Sequence, residues 1–123
     1  MNHKDFGNQG EDFAAQYLEK RGCRILERQF RSPMGEIDII AEEKNTILFV
    51  EVKTRRPTHY GIPAQAVGRT KQRRIIRTAV WYMQEKRIEE KPCRFDVAEV
   101  LYERGSYTVQ YYENAFEAGA CGC

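Results

Sequence analysis

The chain has 123 residues, 41% of them hydrophobic and 31% charged, with a net charge of +2 at pH 7. This is the composition of a soluble globular protein with room for one core, and residues 1–117 are expected to form a single domain. No stretch reaches the apolar length needed to cross a bilayer, and "MNHKDFGNQG" lacks the apolar centre of a secretory signal, which predicts a cytoplasmic protein with no membrane partner. Cys23, Cys93, Cys121 and Cys123 are scattered, without a CxxC pair and too sparse for a disulfide scaffold. Cys23 and Cys93 therefore read as reduced thiols, and the closing "CGC" as part of a disordered tail over 118–123.

Residues 5 to 21 show helical periodicity, with Phe6, Phe13, Ala14, Tyr17 and Leu18 in one stripe and Gly22 placed to end the helix. "CRILERQFR" reads as a strand with Cys23, Ile25, Glu27 and Gln29 on one face and Leu26 and Phe30 on the other. Two further strands, "GEIDIIAEE" and "TILFVEVKT", follow around a tight turn at Lys44 and Asn45. A loop containing Pro57, Gly61 and Pro63 then leads to a second helix. Gly68 is its N-cap, Gln72, Ile75, Ile76, Ala79, Val80, Tyr82 and Met83 form its stripe, and Pro92 is expected to stop it. "RFDVAEVLY" and "YTVQYY" close the chain as a hairpin around "ERGS". The order αβββαββ, with a long helix between strands, predicts an α/β fold: a central mixed sheet flanked by helices.

The charge is unevenly spread. From Val52 to Gln84 there is no acid, while Lys53, Arg55, Arg56, Arg69, Lys71, Arg73, Arg74 and Arg77 fall in that window. Such a block suits a polyanionic partner, nucleic acid first, although a solvated helix face with a charged loop has the same pattern.

Alternation along the central hairpin puts Glu36, Asp38 and Ile40 on one face of the first strand, with Ile37, Ile39 and Ala41 on the other. In the second strand Ile47, Phe49, Glu51 and Lys53 share a face. With Lys44 and Asn45 central in the turn, Ile40 meets Phe49, Asp38 meets Glu51 and Glu36 meets Lys53. Two carboxylates so opposed are destabilising unless a cation joins them. Lys53 is one such cation, and a hard divalent ion, Mg²⁺ or Mn²⁺, is another. A solvent-facing strand with exposed ion pairs is the alternative, but Ile47 and Phe49 on the same face favour a site. Glu11 falls at the edge of the first helix's apolar stripe and faces the protein, and Gly7 and Gly10 would let that helix approach the sheet closely.

Glu11, Asp38 and the "EVK" of Glu51 to Lys53 resemble the PD-(D/E)xK nuclease superfamily, and "GEDFAAQYL", "GEIDIIAE", "LFVEVKTR" and "RFDVAEV" together resemble the UPF0102 (YraN) family, related in fold to Holliday-junction resolvases. The resemblance spans residues 7 to 116. It implies a restriction-endonuclease-like core and a Mg²⁺- or Mn²⁺-dependent endonuclease acting on structured or branched DNA. Asp38 and Glu51 would hold the metal, Lys53 would be the signature lysine and Glu11 the first-helix acid of the resolvase-like branch. The superfamily's leading proline is absent, since Ile37 precedes Asp38. Gln65 falls where some relatives place a Gln or a basic group, and Arg55, Arg56, Lys71, Arg74 and Arg77 are expected to bind phosphates. A homodimer is implied by resemblance only. The competing expectation is a non-cleaving nucleic-acid-binding module on the same fold. His59 and Tyr60 read as ordinary loop residues, and Asp96 as a strand partner of Arg94 at least as readily as a site acid.

Overall fold

The structure, a computed structural model, describes residues 3–56 and 67–117. Gln65, His59, Tyr60, Pro57, Gly61 and Pro63 lie outside the described residues, as do Cys121, Cys123 and the rest of the expected tail. The elements follow the expected order: α1 (His3–Lys20), β1 (Arg24–Ser32), β2 (Gly35–Glu43), β3 (Thr46–Arg55), α2 (Arg69–Glu85), β4 (Cys93–Glu103) and β5 (Ser106–Phe116). The strands form one five-stranded sheet in chain order. All neighbours are antiparallel except β3 and β4, whose parallel pairing is bridged by the segment containing α2. No helix among the described residues is long and apolar enough to cross a membrane.

Each face of the sheet buries one helix. On one side Ala14, Ala15 and Leu18 of α1 pack over Ile39, Ala41, Leu48, Val50, Ala98 and Val100. On the other, Ile75, Ile76, Ala79 and Tyr82 of α2 cover Ile37, Ile40, Ile47, Phe49, Phe95 and Val97. Aromatic rings dominate this second core. Phe95 stacks between Phe49 and Phe116, with centroids 5.5 and 5.1 Å away, and Tyr82 meets Phe49 and Phe30 edge-on.

The helix ends follow from local chemistry. Gly22, at φ +103°, ends α1 in a Schellman turn, in which Cys23 N–H donates to Leu18 O and Gly22 N–H to Glu19 O. Gly68 is the N-cap of α2, with extended backbone and no side-chain cap. Pro92 does not stop α2. The helix ends earlier, where Arg87 takes the left-handed conformation at φ +52° and Ile88 N–H donates to Met83 O, the same turn without a glycine. Ile88 and Met83 both pack against the α2-side core, and that apolar contact offsets the strain of a non-glycine residue there.

The β2–β3 register has Ile40 opposite Phe49 and Glu43 opposite Thr46, as the Lys44–Asn45 turn predicts. β4 and β5 are longer than expected and meet at Arg104 and Gly105, both at positive φ, as a two-residue hairpin turn requires. Asp96 is fully buried and serves the sheet. It takes hydrogen bonds from Arg94, from Tyr111 Oη at 2.5 Å and from Asn114 N at 2.8 Å, pinning the irregularity where β5 pairs with β4.

Gly10 is required by packing: a Cβ there would sit 1.9 Å from Thr54 Oγ1 on β3. Gly7 is not, because nothing lies within 4 Å of its Cβ position. Close approach therefore rests on Gly10 alone, against a side chain rather than the expected backbone. In denaturant titrations Gly10→Ala is expected to cost about 1–3 kcal/mol through overpacking. Gly7→Ala, in an exposed helical position, is expected to stabilise by about 0.5–1 kcal/mol.

Candidate active site

Asp38 sits where the sheet departs from regular pairing. On the β1 side Arg28↔Ile39 and Phe30↔Ile37 keep one register, whose shift lies further along between Ile25 and Glu27, but Gln29 between them is left-handed at φ +50°. On the β3 side the ladder's last pair toward the open end is Ile39↔Val50, and Asp38 Oδ2 instead accepts the backbone N–H of Val52 at 2.8 Å. Neither the expected Asp38–Glu51 pairing nor the expected Glu36–Lys53 pairing is therefore part of the ladder. The irregularity also overturns the simple alternation of β2: Ile37 belongs to the α2-side core with Ile40, whereas Ile39 belongs to the α1-side core.

Glu51 lies near Asp38 on the α2 side, buried, and its charge bears on the Asp38 carboxyl. Burial raises the Asp38 pKa to about 7, reinforced by the Glu51 charge, while the Val52 N–H opposes the shift. Glu51 also receives the Lys71 ammonium, with Nζ 2.9 Å from Oε1. Lys53 is half-buried in register with Glu99 of β4, and burial, with Lys71 and Arg55 nearby, lowers its pKa.

Two hollows meet at Asp38. The larger, about 800 Å³, is a cleft between the β1–β2 turn, β2, β3 and the start of α2, with Arg31, Glu36, Asp38, Glu51, Lys71 and Arg74 among its lining. The Ser32 hydroxyl, within 3.4 Å of the Thr78 hydroxyl, ties this turn to α2. The smaller, about 320 Å³, lies on the α1 side, lined by Phe6, Asn8, Glu11, Asp38 and Thr54. Glu11 is buried as its stripe position predicts, but each of its oxygens is already engaged, by Arg28 Nε at 3.0 Å and Gln29 Nε2 at 3.2 Å.

The remaining basic residues do not converge on one groove. Lys71 and Arg74 line the larger cleft, and Arg77 is exposed on α2. Arg55 pairs with the buried Glu99. Arg56 lies over the rings of Phe6 and Tyr102, 5.4 and 5.3 Å from their centroids, beside α1. Two residues were missed in the sequence. Arg31 lies outside the acid-free window yet lines the cleft, where it pairs with Glu36. Glu99 is a buried acid inside the apolar run "DVAEVL", and that setting was its available signal.

Among the described residues no group of three His, Cys, Asp or Glu side chains is placed to cage a metal. The donors that do fit are Asp38 and Glu51, two hard oxygen ligands at the wall of an open cleft. This suits Mg²⁺ or Mn²⁺, which take one or two carboxylates and complete their shell with water and phosphate oxygens.

The model of the uncharacterised protein family UPF0102 matches residues 10–100. The chain belongs to the UPF0102 family. A UPF0102 protein of Syntrophotalea carbinolica is 46% identical over 111 residues, covering 90% of each chain. Another, of Dictyoglomus thermophilum, is 45% identical over 118 residues, covering 94% of this chain and all of its own. Among solved structures, Pyrococcus furiosus SfsA in complex with Ca²⁺ is 18% identical with a TM-score of 0.37, spanning 89% of this chain and 61% of that one, a likeness too distant to bear on function.

The raised Asp38 pKa has a consequence for stability in this UPF0102 chain. A carboxyl that holds its proton more tightly folded than unfolded stabilises the fold below its unfolded pKa, and that contribution is lost as pH rises from about 4 toward 7. Asp38→Asn removes the penalty, so the variant is expected to be more stable than the parent at pH 8 by about 2 kcal/mol, after discounting for partial exposure, and not at pH 4. Thermal melts at the two pH values check this, and an equal shift at both would contradict it.

Proposed function

We propose that this chain is a Mg²⁺- or Mn²⁺-dependent endonuclease that hydrolyses phosphodiesters in structured or branched DNA. One observation carries the reading: two carboxyls, Asp38 and Glu51, stand together at the wall of a cleft whose other lining includes Arg31, Lys71 and Arg74. Two neighbouring acids, Glu51 buried and Asp38 half-buried, cost stability, and a fold keeps such a cost where a cation or a reaction uses it.

Asp38 and Glu51 would hold the metal, which when bound supplies Lewis acidity at a phosphoryl oxygen and a more acidic water. The other roles belong to the chain. The Val52 N–H fixes the Asp38 carboxyl through one of its oxygens. Lys53, its pKa lowered, is suited to neutralise charge developing on the phosphate or to pass on a proton. Arg31, Lys71 and Arg74 would hold phosphates, aided by the first turn of α2, which has no acid and no side-chain cap. Such contacts position a duplex without reading its sequence, so binding is expected to weaken steeply with salt. Arg77, exposed on α2, would extend the proposed surface, and a homodimer would present two such clefts.

A second reading, a nucleic-acid-binding module that does not cleave, draws on Glu11. Its carboxylate is occupied by Arg28 and Gln29 and would have to exchange partners to serve a metal.

Calorimetry with Mn²⁺ on the wild type and Asp38→Ala, beside a cleavage assay on a panel of branched DNAs, separates the two. The endonuclease reading expects metal binding and cleavage by the wild type, both lost in the variant. Undiminished DNA binding by both proteins, with no metal bound and no strand cut, would leave the binding module.

A further inference from the structure

The ammonium that meets Glu51 belongs to Lys71, not to Lys53 of the "EVK" run. We propose that Lys71 is a displaceable counter-ion, so that release of its contact with Glu51 couples divalent-cation loading at Asp38 and Glu51 to the arrival of a nucleic-acid phosphate. The inference rests on the function proposed above and names a regulation of the same site.

The pair is lopsided. The Glu51 side chain is 9% exposed and that of Lys71 56%, with Nζ 2.9 Å from Oε1. A buried carboxylate cannot leave, whereas a lysine on a flexible four-carbon stem regains water as soon as it swings outward. Lys71 therefore neutralises Glu51 without being locked to it. Among the described residues no lysine pairs with Asp38, whose Oδ2 takes the Val52 N–H.

A divalent cation held by Asp38 and Glu51 would compete with that ammonium for the Glu51 charge, and the two cations would repel each other. A phosphate in the cleft offers Lys71 another partner. Arg74, one turn along α2, and Arg31, on the opposite wall, already supply positive charge along this lining. Drawing Lys71 off Glu51 returns the carboxylate's charge to the cation site. By linkage the effect is reciprocal: whatever factor polyanion adds to metal affinity, metal adds to polyanion affinity. The bare protein then holds its cation weakly, and the protein on nucleic acid holds it well.

The alternative is an ion pair that only fastens α2 to β3. That role predicts lost stability without Lys71 and no gain in metal affinity.

The test is calorimetric titration of Mn²⁺ into the wild type, Lys71→Met, Lys71→Gln and Arg74→Met, each with and without a short phosphorothioate duplex, after subtraction of Mn²⁺ binding to that duplex alone. The duplex is expected to tighten Mn²⁺ binding by the wild type about five- to tenfold. Both Lys71 variants are expected to bind Mn²⁺ more tightly than the wild type without DNA, by a similar factor, and to gain little from the duplex. Arg74→Met sheds the same charge from the same cleft without touching Glu51; it is expected to bind the duplex less tightly and, at saturating duplex, to keep the coupling. Wild-type metal binding that is abolished by Asp38→Ala, together with Lys71 variants no tighter than the wild type, would overturn the counter-ion and leave the site intact. No Mn²⁺ binding by the wild type in either condition would overturn both.

Discussion

The structure turns on a single hydrogen bond, in which the Asp38 carboxylate takes the Val52 backbone N–H. The side chain sits at that amide where a regular ladder would continue, and pairing toward the open end of β2 and β3 stops short of it. On the other flank Gln29 adopts a left-handed conformation beside the same break. Ile37 can then turn to the α2 side while Ile39 stays on the α1 side, and hollows open on both faces of the sheet with Asp38 at their junction.

Such a break is tolerable because the rest of the sheet is well supported. The middles of β2 and β3 are buried on both faces, and away from the break their buried side chains are Ile, Ala, Leu, Phe and Val. The Asp38–Glu51 repulsion is a local cost set against two apolar cores. Gly10 matters for the same reason, since its contact with Thr54 settles how near α1 comes to β3 and hence where Glu11 meets Arg28 and Gln29.

Much of this was legible in the sequence because it is local. The order of elements, the Gly22 and Gly68 helix boundaries and the hairpin register centred on Lys44 and Asn45 all depend on residues near one another in the chain. That register also anticipated Asp38 and Glu51 as neighbours, although they are not ladder partners and the alternation of β2 fails beside them. What escaped depends on contacts between distant segments. Nothing in "ERQFR" marks Gln29 as left-handed, and the flip of Ile37 follows from that geometry. The end of α2 at Arg87 relies on Ile88 reaching the core, which periodicity cannot register. The choice of Lys71 over Lys53 as the partner of Glu51 is set by how α2 lies on the sheet. The acid-free window marked positive charge correctly but not its direction: Lys71 and Arg74 reach the cleft while Arg56 turns to the rings beside α1.

The sheet's strand order equals its chain order, and that shapes how the molecule is assembled. β1, β2 and β3 are joined by two-residue turns and pair through nearby residues, as do β4 and β5, so both groups are fast, local units. The parallel seam between β3 and β4 spans a separation from Ile47 to Cys93 at its start, and closing it is the slow, entropically costly step. During synthesis the two acids therefore meet as soon as β3 docks, before the helix carrying Lys71 can settle over them. The nascent meander carries its repulsion uncompensated, held only by the apolar residues around it.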